Sequence, residues 1–141
     1  MILGIGTDIV KISRFNSWLN FSQENLLHVF TEQEIQDFSQ KSKLNNNFNL
    51  QILASRFAAK EACYKALSAA LVKLNLNTKD FYLLFACKNI EVIKGEWGVP
   101  MLNINYKAFE DKLGIKLPNL NIDLSISHEK DFAQAFVIIS K

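Results

Sequence analysis

The chain lacks any run of about 18 apolar residues, so a membrane span is not expected. It also lacks an opening basic stretch followed by a long apolar run, so no signal peptide is expected. Cys63 and Cys87 are the only cysteines and have no CxxC spacing, which fits a reducing cytosol and gives no zinc site. The net charge of +2 is too small for broad binding to nucleic acid or membranes, so any charged partner surface must be a local patch. There is no internal repeat, clear linker, P-loop, GxGxxG or HExxH. The segment Ser125-Ile126-Ser127-His128 gives no serine–histidine–acid triad.

What remains is 141 residues, 49% hydrophobic and 21% charged, the make-up of an ordinary globular protein. That length suits a single domain, 1–141, able to bury a core without staples. Ile2 to Val10 reads as a strand. Leu3, Ile5, Thr7 and Ile9 fall on one face, and Ile2, Gly4, Gly6, Asp8 and Val10 on the other. The two glycines strip side chains from the Asp8 face. That marks close approach by a ligand or another backbone, or simply a twisted strand on a helix.

A short helix is expected from Ser13 as N-cap. Another starts near Thr31, where Thr31-Glu32-Gln33-Glu34 fits a capping box. Asn45-Asn46-Asn47 reads as a loop, and a long helix runs from about Asn49 to Val72. Strands are expected at Phe81–Cys87, Ile90–Ile93 and Met101–Ile104, with a turn at Gly95–Pro100. Tyr106–Leu113 reads as a helix stopped at Gly114. Asn121–Ser127 and Phe132–Ile139 read as strands joined by a turn, the second a central one. Early helices and late strands indicate α+β, with the long helix packed on a mainly antiparallel sheet.

At ~3.6 residues per turn, Leu50, Leu53, Phe57, Tyr64 and Leu71 form one stripe with Glu61 near its centre. A charge there must be paired, protonated or bound to a metal. Were Asp8 to meet Glu61, the two would make a small oxygen site suited to Mg²⁺ and a phosphate. A plain Glu61–Lys65 pair at i,i+4 is the competing explanation. Lys65 lies on nearly the same face, to hold charge, move a proton or be solvated. Arg56 and Lys60 lie at i,i+4 on a flank, either as a joint phosphate site or as a solvated face. His128 stands where a strand enters a turn, a place for a ligand contact or plain exposure. Lys11, Arg14 and Trp18 recur at helical spacing, with Phe15 and Leu19 on another side. They form a basic, aromatic docking surface for an acidic protein, or else Trp18 is core.

Three segments carry a family resemblance: Ile5-Gly6-Thr7-Asp8-Ile9-Val10, Arg56 through Ala66, and Ser125 through Ala133. In order and rough spacing they resemble holo-[acyl-carrier-protein] synthase, and Gly98-Val99-Pro100 is similar to that family's Gly-x-Pro turn. The likeness spans Ile2 to Ile139. It implies the α+β 4′-phosphopantetheinyl transferase fold and Mg²⁺-dependent transfer of 4′-phosphopantetheine from coenzyme A to a serine of acyl carrier protein, a step of fatty acid biosynthesis. It also implies a cytoplasmic homotrimer with sites between subunits. By the resemblance, Asp8 and Glu61 bind the metal, and Lys65 lies near the reacting phosphate. Arg56 and His128 line the coenzyme A site, and Arg14 faces the carrier. Ser68-Ala69-Ala70-Leu71 departs from the glycine segment that often follows the family's long helix. The stretches Lys41–Asn49 and Lys73–Asp80 match nothing closely. A transferase for other carriers is disfavoured because that class joins two such units in one chain. A non-catalytic nucleotide- or carrier-binding module is disfavoured by the intact Asp8, Glu61 and Lys65.

Overall fold

The computed structural model describes residues 1–41 and 46–141, with side chains described outside 40–48. In chain order the elements are β1 (Ile2–Lys11), a 3-10 stretch (Ile12–Asn20), α1 (Gln23–Leu26), α2 (Glu32–Lys41) and α3 (Asn46–Lys73). Then come α4 (Leu83–Asn89), β2 (Ile90–Lys94), β3 (Pro100–Ile104), α5 (Tyr106–Leu113), β4 (Asn121–His128) and β5 (Phe132–Ser140). One antiparallel sheet has the order β1-β5-β4, and β2 and β3 form a separate hairpin. The expected α+β class, the long helix, the strands β2 to β5 and the central place of β5 are all present.

α3 is the axis of the molecule. It packs along β1 and β5, and its buried residues go almost all the way round: Leu53, Ala54, Phe57, Ala58, Ala59, Ala62, Cys63, Ala66, Leu67 and Ala70. The single stripe expected from the sequence is therefore too narrow, as befits a helix covered on several sides. Glu61 is not buried within it, for its side chain keeps 23% exposure at the edge of the covered surface. The helix begins at Asn46, so Asn46 and Asn47 are helical and not loop, while Asn45 lies outside the described residues.

The glycine face of β1 is filled by α3. A Cβ on Gly4 would collide with the Ala66 carbonyl, and one on Gly6 would collide with the Ala62 carbonyl and lie 2.6 Å from Ala66 N. Strand and helix backbones thus touch directly, and the glycines are not free for a ligand or a second chain. A register shift between Ile2 and Gly4 turns Leu3 inward as well. The other face of β1 leaves Ile5 and Ile9 exposed, beside Phe132 and Phe136 of β5.

Three further expectations are corrected. Phe81–Cys87 is not a strand: Leu83–Asn89 is α4, because this apolar run repeats at 83, 86, 87 and 90, with Ala86, Cys87 and Ile90 fully buried. The helix after β1 is 3-10, with Lys11 at its cap and no side-chain cap bond, so Ser13 is not the N-cap. Three residues per turn put Ile12, Phe15 and Trp18 on one row. Trp18 accordingly packs edge-on against Phe15 at 5.0 Å and Phe57 at 5.7 Å, and is more core than docking surface.

The capping box forms as expected. Glu34 N donates to Thr31 Oγ1, and Thr31 N donates to Glu34 Oε2, each at 3.3 Å. The same Glu34 is fully buried and pairs with Lys60 at 2.8 Å. Lys60 Nζ also donates to the carbonyls of Val29 (3.0 Å), Cys87 (2.8 Å) and Ile90 (2.7 Å). Glu34 Oε1 accepts from Val92 N at 2.7 Å. Lys60 therefore faces inward, away from solvent and from any phosphate, and makes no joint site with Arg56. Burial pushes the Glu34 carboxyl up and the Lys60 ammonium down, each opposed by the other's charge. Every hydrogen-bond partner of Lys60 is an acceptor and every one of the Glu34 carboxylate a donor, an arrangement that suits the ionised pair.

Two substitutions test this frame. Gly6→Ala forces α3 off β1 and is expected to cost about 3 kcal/mol or more. A wild-type denaturation midpoint would show that the seam is not close-packed. Glu34→Ala strands a buried ammonium and is expected to cost roughly 3–5 kcal/mol, while the double variant Glu34→Leu/Lys60→Met recovers much of that loss. Additive losses in the cycle would rule out a coupled pair.

Candidate functional site

β1 brings Asp8 to the face that meets α3, and α3 supplies Glu61 and Lys65 one turn apart. The direct seating at Gly4 and Gly6 sets the distance between them. Lys65 Nζ donates to Asp8 Oδ1 at 2.9 Å and to the Thr7 carbonyl at 3.1 Å, and lies 3.5 Å from Glu61 Oε1. Both carboxylates thus share one ammonium. The Glu61–Lys65 pair expected as the plain alternative is present, but Asp8 belongs to it too. The Asp8 hydrogen bond, then the charges of both carboxylates, hold the Lys65 ammonium above its usual range against the effect of burial. Asp8 is 9% exposed at the side chain and Lys65 44%. Asp8 Oδ2 is buried and has no hydrogen-bond partner.

Arg56 points elsewhere. Its guanidinium pairs with Asp37 of α2 at 3.4 Å, and its Nε is buried without a partner. It lines a cleft with Ser55, Lys94, Gly98, Pro100 and Ile126. Lys94 and Asp37 were not singled out from the sequence. Lys94 reaches the cleft only because β2 and β3 pair antiparallel, and nothing in its own neighbourhood signals that.

His128 is the last residue of β4, exposed, where Glu129 N donates to the Phe132 carbonyl to close the turn. It lies opposite Ala133, which pairs with Val10 on its other side. Asp8 pairs with Ala135, so His128 stands two rungs along the sheet from Asp8 and on the same face. Arg14 is exposed, with its guanidinium 5.3 Å from the Phe57 ring centre and 5.6 Å from that of Phe15. The structure therefore gathers Asp8, Glu61 and Lys65 at one point, and none of Arg56, His128 and Arg14 pairs with them.

Neither cysteine is a candidate nucleophile. Both are buried, and burial pushes each thiol up to about 12, far from the thiolate form at neutral pH. Among the described residues no group of three or more histidine, cysteine, aspartate or glutamate side chains is gathered for a metal, and no helix is long and apolar enough to cross a membrane.

Comparison with known proteins adds to this geometry. A model of the 4′-phosphopantetheinyl transferase superfamily matches residues 4–124. The holo-[acyl-carrier-protein] synthase of Borrelia hermsii is 40% identical over 140 residues, covering 99% of this chain and 98% of that protein. The crystal structure of a holo-(acyl-carrier-protein) synthase from Bacillus anthracis in complex with CoA (3′,5′-ADP) is similar with a TM-score of 0.67 and 29% identity, covering 99% of this chain and 96% of that one. The Chronobacterium ammoniagenes ACPS–CoA complex is similar with a TM-score of 0.72 and 28% identity, covering 96% and 95%.

Proposed function

This chain belongs to the 4′-phosphopantetheinyl transferase superfamily, and from that premise we propose that it is a holo-[acyl-carrier-protein] synthase. It moves 4′-phosphopantetheine from coenzyme A to a serine of apo-acyl carrier protein and releases adenosine 3′,5′-bisphosphate. The observation that carries the reading is the meeting of Asp8 from β1 with Glu61 and Lys65 from α3, in a chain related to such synthases over nearly its whole length. A charged trio on two rigid, close-packed elements suits a reaction that depends on positioning and charge neutralisation.

The serine hydroxyl attacks the β-phosphate of coenzyme A. A bond from serine Oγ to phosphorus forms, the pyrophosphate bond breaks, the nucleotide leaves on its own phosphate, and the hydroxyl proton passes to solvent. Lys65 offers its ammonium to the phosphate oxygens. Arg56 and Lys94, in the neighbouring cleft, face the anionic coenzyme. His128 stands at the rim of the same sheet face.

Asp8 and Glu61 are the residues that would hold Mg²⁺. They supply hard oxygen donors, and the buried, unpartnered Asp8 Oδ2 is an acceptor suited to a cation. Two carboxylates make an incomplete shell, the usual protein share for Mg²⁺ bound together with a phosphate substrate. When bound, the ion neutralises the charge of the pyrophosphate. Arg14 is the cation facing the acidic carrier, backed by Phe15 and Phe57. Buried free thiols and use of coenzyme A fit a cytoplasmic enzyme of fatty acid biosynthesis, and the whole of 1–141 serves as one transferase domain.

The active species is read as a homotrimer with coenzyme A between chains. Support comes from the outer sheet face, where Ile5, Ile9, Phe132 and Phe136 are all more than two-fifths exposed. The glycine face of β1 is used inside the chain, against α3.

Incubation with coenzyme A, Mg²⁺ and apo-carrier is expected to add one phosphopantetheine to the carrier's mass. Glu61→Gln should keep the fold and lower turnover roughly 100-fold or more. A carrier left unmodified by the wild-type protein would leave only a binding module. Ile9→Lys is expected to give a folded, smaller species with little activity, measured by mass in solution across dilution. A fully active wild-type monomer at assay concentration would remove the trimer reading.

A further inference from the structure

We propose that Lys65 is a built-in counter-ion, which a divalent metal must displace from the two carboxylates in order to bind. The inference rests on the reading of Asp8 and Glu61 as the metal site. Lys65 Nζ donates to Asp8 Oδ1 and the Thr7 carbonyl at 2.9 and 3.1 Å and lies 3.5 Å from Glu61 Oε1. Lys65 already occupies one oxygen of each carboxylate, so a cation held by Asp8 and Glu61 would compete with the ammonium for their charge.

The partners differ in freedom. Asp8 is held on a strand packed against α3 and is nearly buried, whereas Lys65 is 44% exposed and sits on a flexible four-carbon stem. The ammonium is the group able to leave. No other cation is paired with Asp8 or Glu61 among the described residues, and Asp8 Oδ2 stays buried without a hydrogen-bond partner. Lys65 thereby keeps two like charges together at a ready spacing. Once displaced, it remains tethered beside the site as a free cation for an anionic substrate, so metal loading and exposure of Lys65 become one event.

The test is metal binding itself, with no coenzyme A or carrier present. Protein treated with chelator is titrated with Mn²⁺, by calorimetry and by the loss of the free Mn²⁺ electron-spin signal. Lys65→Met removes the competitor and a like charge beside the ion, and is expected to bind Mn²⁺ about tenfold more tightly than wild type. Lys65→Arg keeps the charge and should bind near the wild-type level, while Asp8→Asn should lose binding. Mn²⁺ should also raise the melting temperature of Lys65→Met more than that of wild type. If Lys65→Met does not fold, Lys65→Gln makes the same comparison. Affinity equal to or weaker than wild type in the variant lacking the ammonium, with binding still lost in Asp8→Asn, would overturn the competition and leave the metal site standing. Absence of Mn²⁺ binding in every protein would overturn the metal site, and the competition with it.

Discussion

The buried pairing of Lys60 with Glu34 ties together the parts of the chain that surround α3. Its ammonium has three hydrogens and meets four oxygens, from Glu34 and from the carbonyls of Val29, Cys87 and Ile90. Those oxygens belong to α2, to the segment before it, to α4 and to β2. Taking both charges from water is costly, so the pair gains little over an apolar contact of the same shape. Its effect is to fix positions. Glu34 also closes the cap of α2 and accepts from Val92 of β2, so one side chain sets a helix start and a strand against each other. The hairpin that carries Lys94 and Pro100 to the cleft beside Arg56 is anchored by this pair.

A second constraint acts on the opposite side of α3. At Gly4 and Gly6 the β1 backbone rests directly on the helix, with no side chain between. That contact is too close to tolerate a methyl group, and it brings Asp8 within one lysine of Glu61. The site depends on backbone proximity more than on any long side chain. Asp8 can then be short and nearly buried, and still share a partner with a residue of another element.

Patterns confined to a few residues were legible in the sequence. The Thr31–Glu34 capping box, the Gly114 stop with its φ of 64°, and the alternating β4 and β5 all appear where local chemistry puts them. The family-bearing segments likewise led to Asp8, Glu61 and Lys65, which the fold does bring together. What failed depended on distant neighbours or on a change of helical period. The run from Phe81 is apolar enough for strand or helix, and its packing on α3 and α5 selects the helix that its spacing allows. Trp18 looked like a neighbour of Arg14 at 3.6 residues per turn, and became a neighbour of Phe15 at three. Lys60 and Arg56 share one face on paper, but Glu34 and Asp37 of α2, far off in sequence, draw them into structural pairs.

Lys60 and Lys65 show what separates a structural cation from one suited to chemistry. Five residues apart on the same helix, they point to opposite surroundings. Lys60 is wholly buried and saturated by oxygens that cannot move, so releasing it would break the fold. Lys65 is half exposed and bound by two carboxylates, one of which retains an unpartnered oxygen. Two carboxylates and one ammonium leave the cluster with a net negative charge, open to a further cation, and Lys65 can yield its place at the loss of one backbone contact, to the Thr7 carbonyl. The trio is thus firmly positioned by the strand and the helix, yet exchangeable at the one group that an anionic substrate would meet.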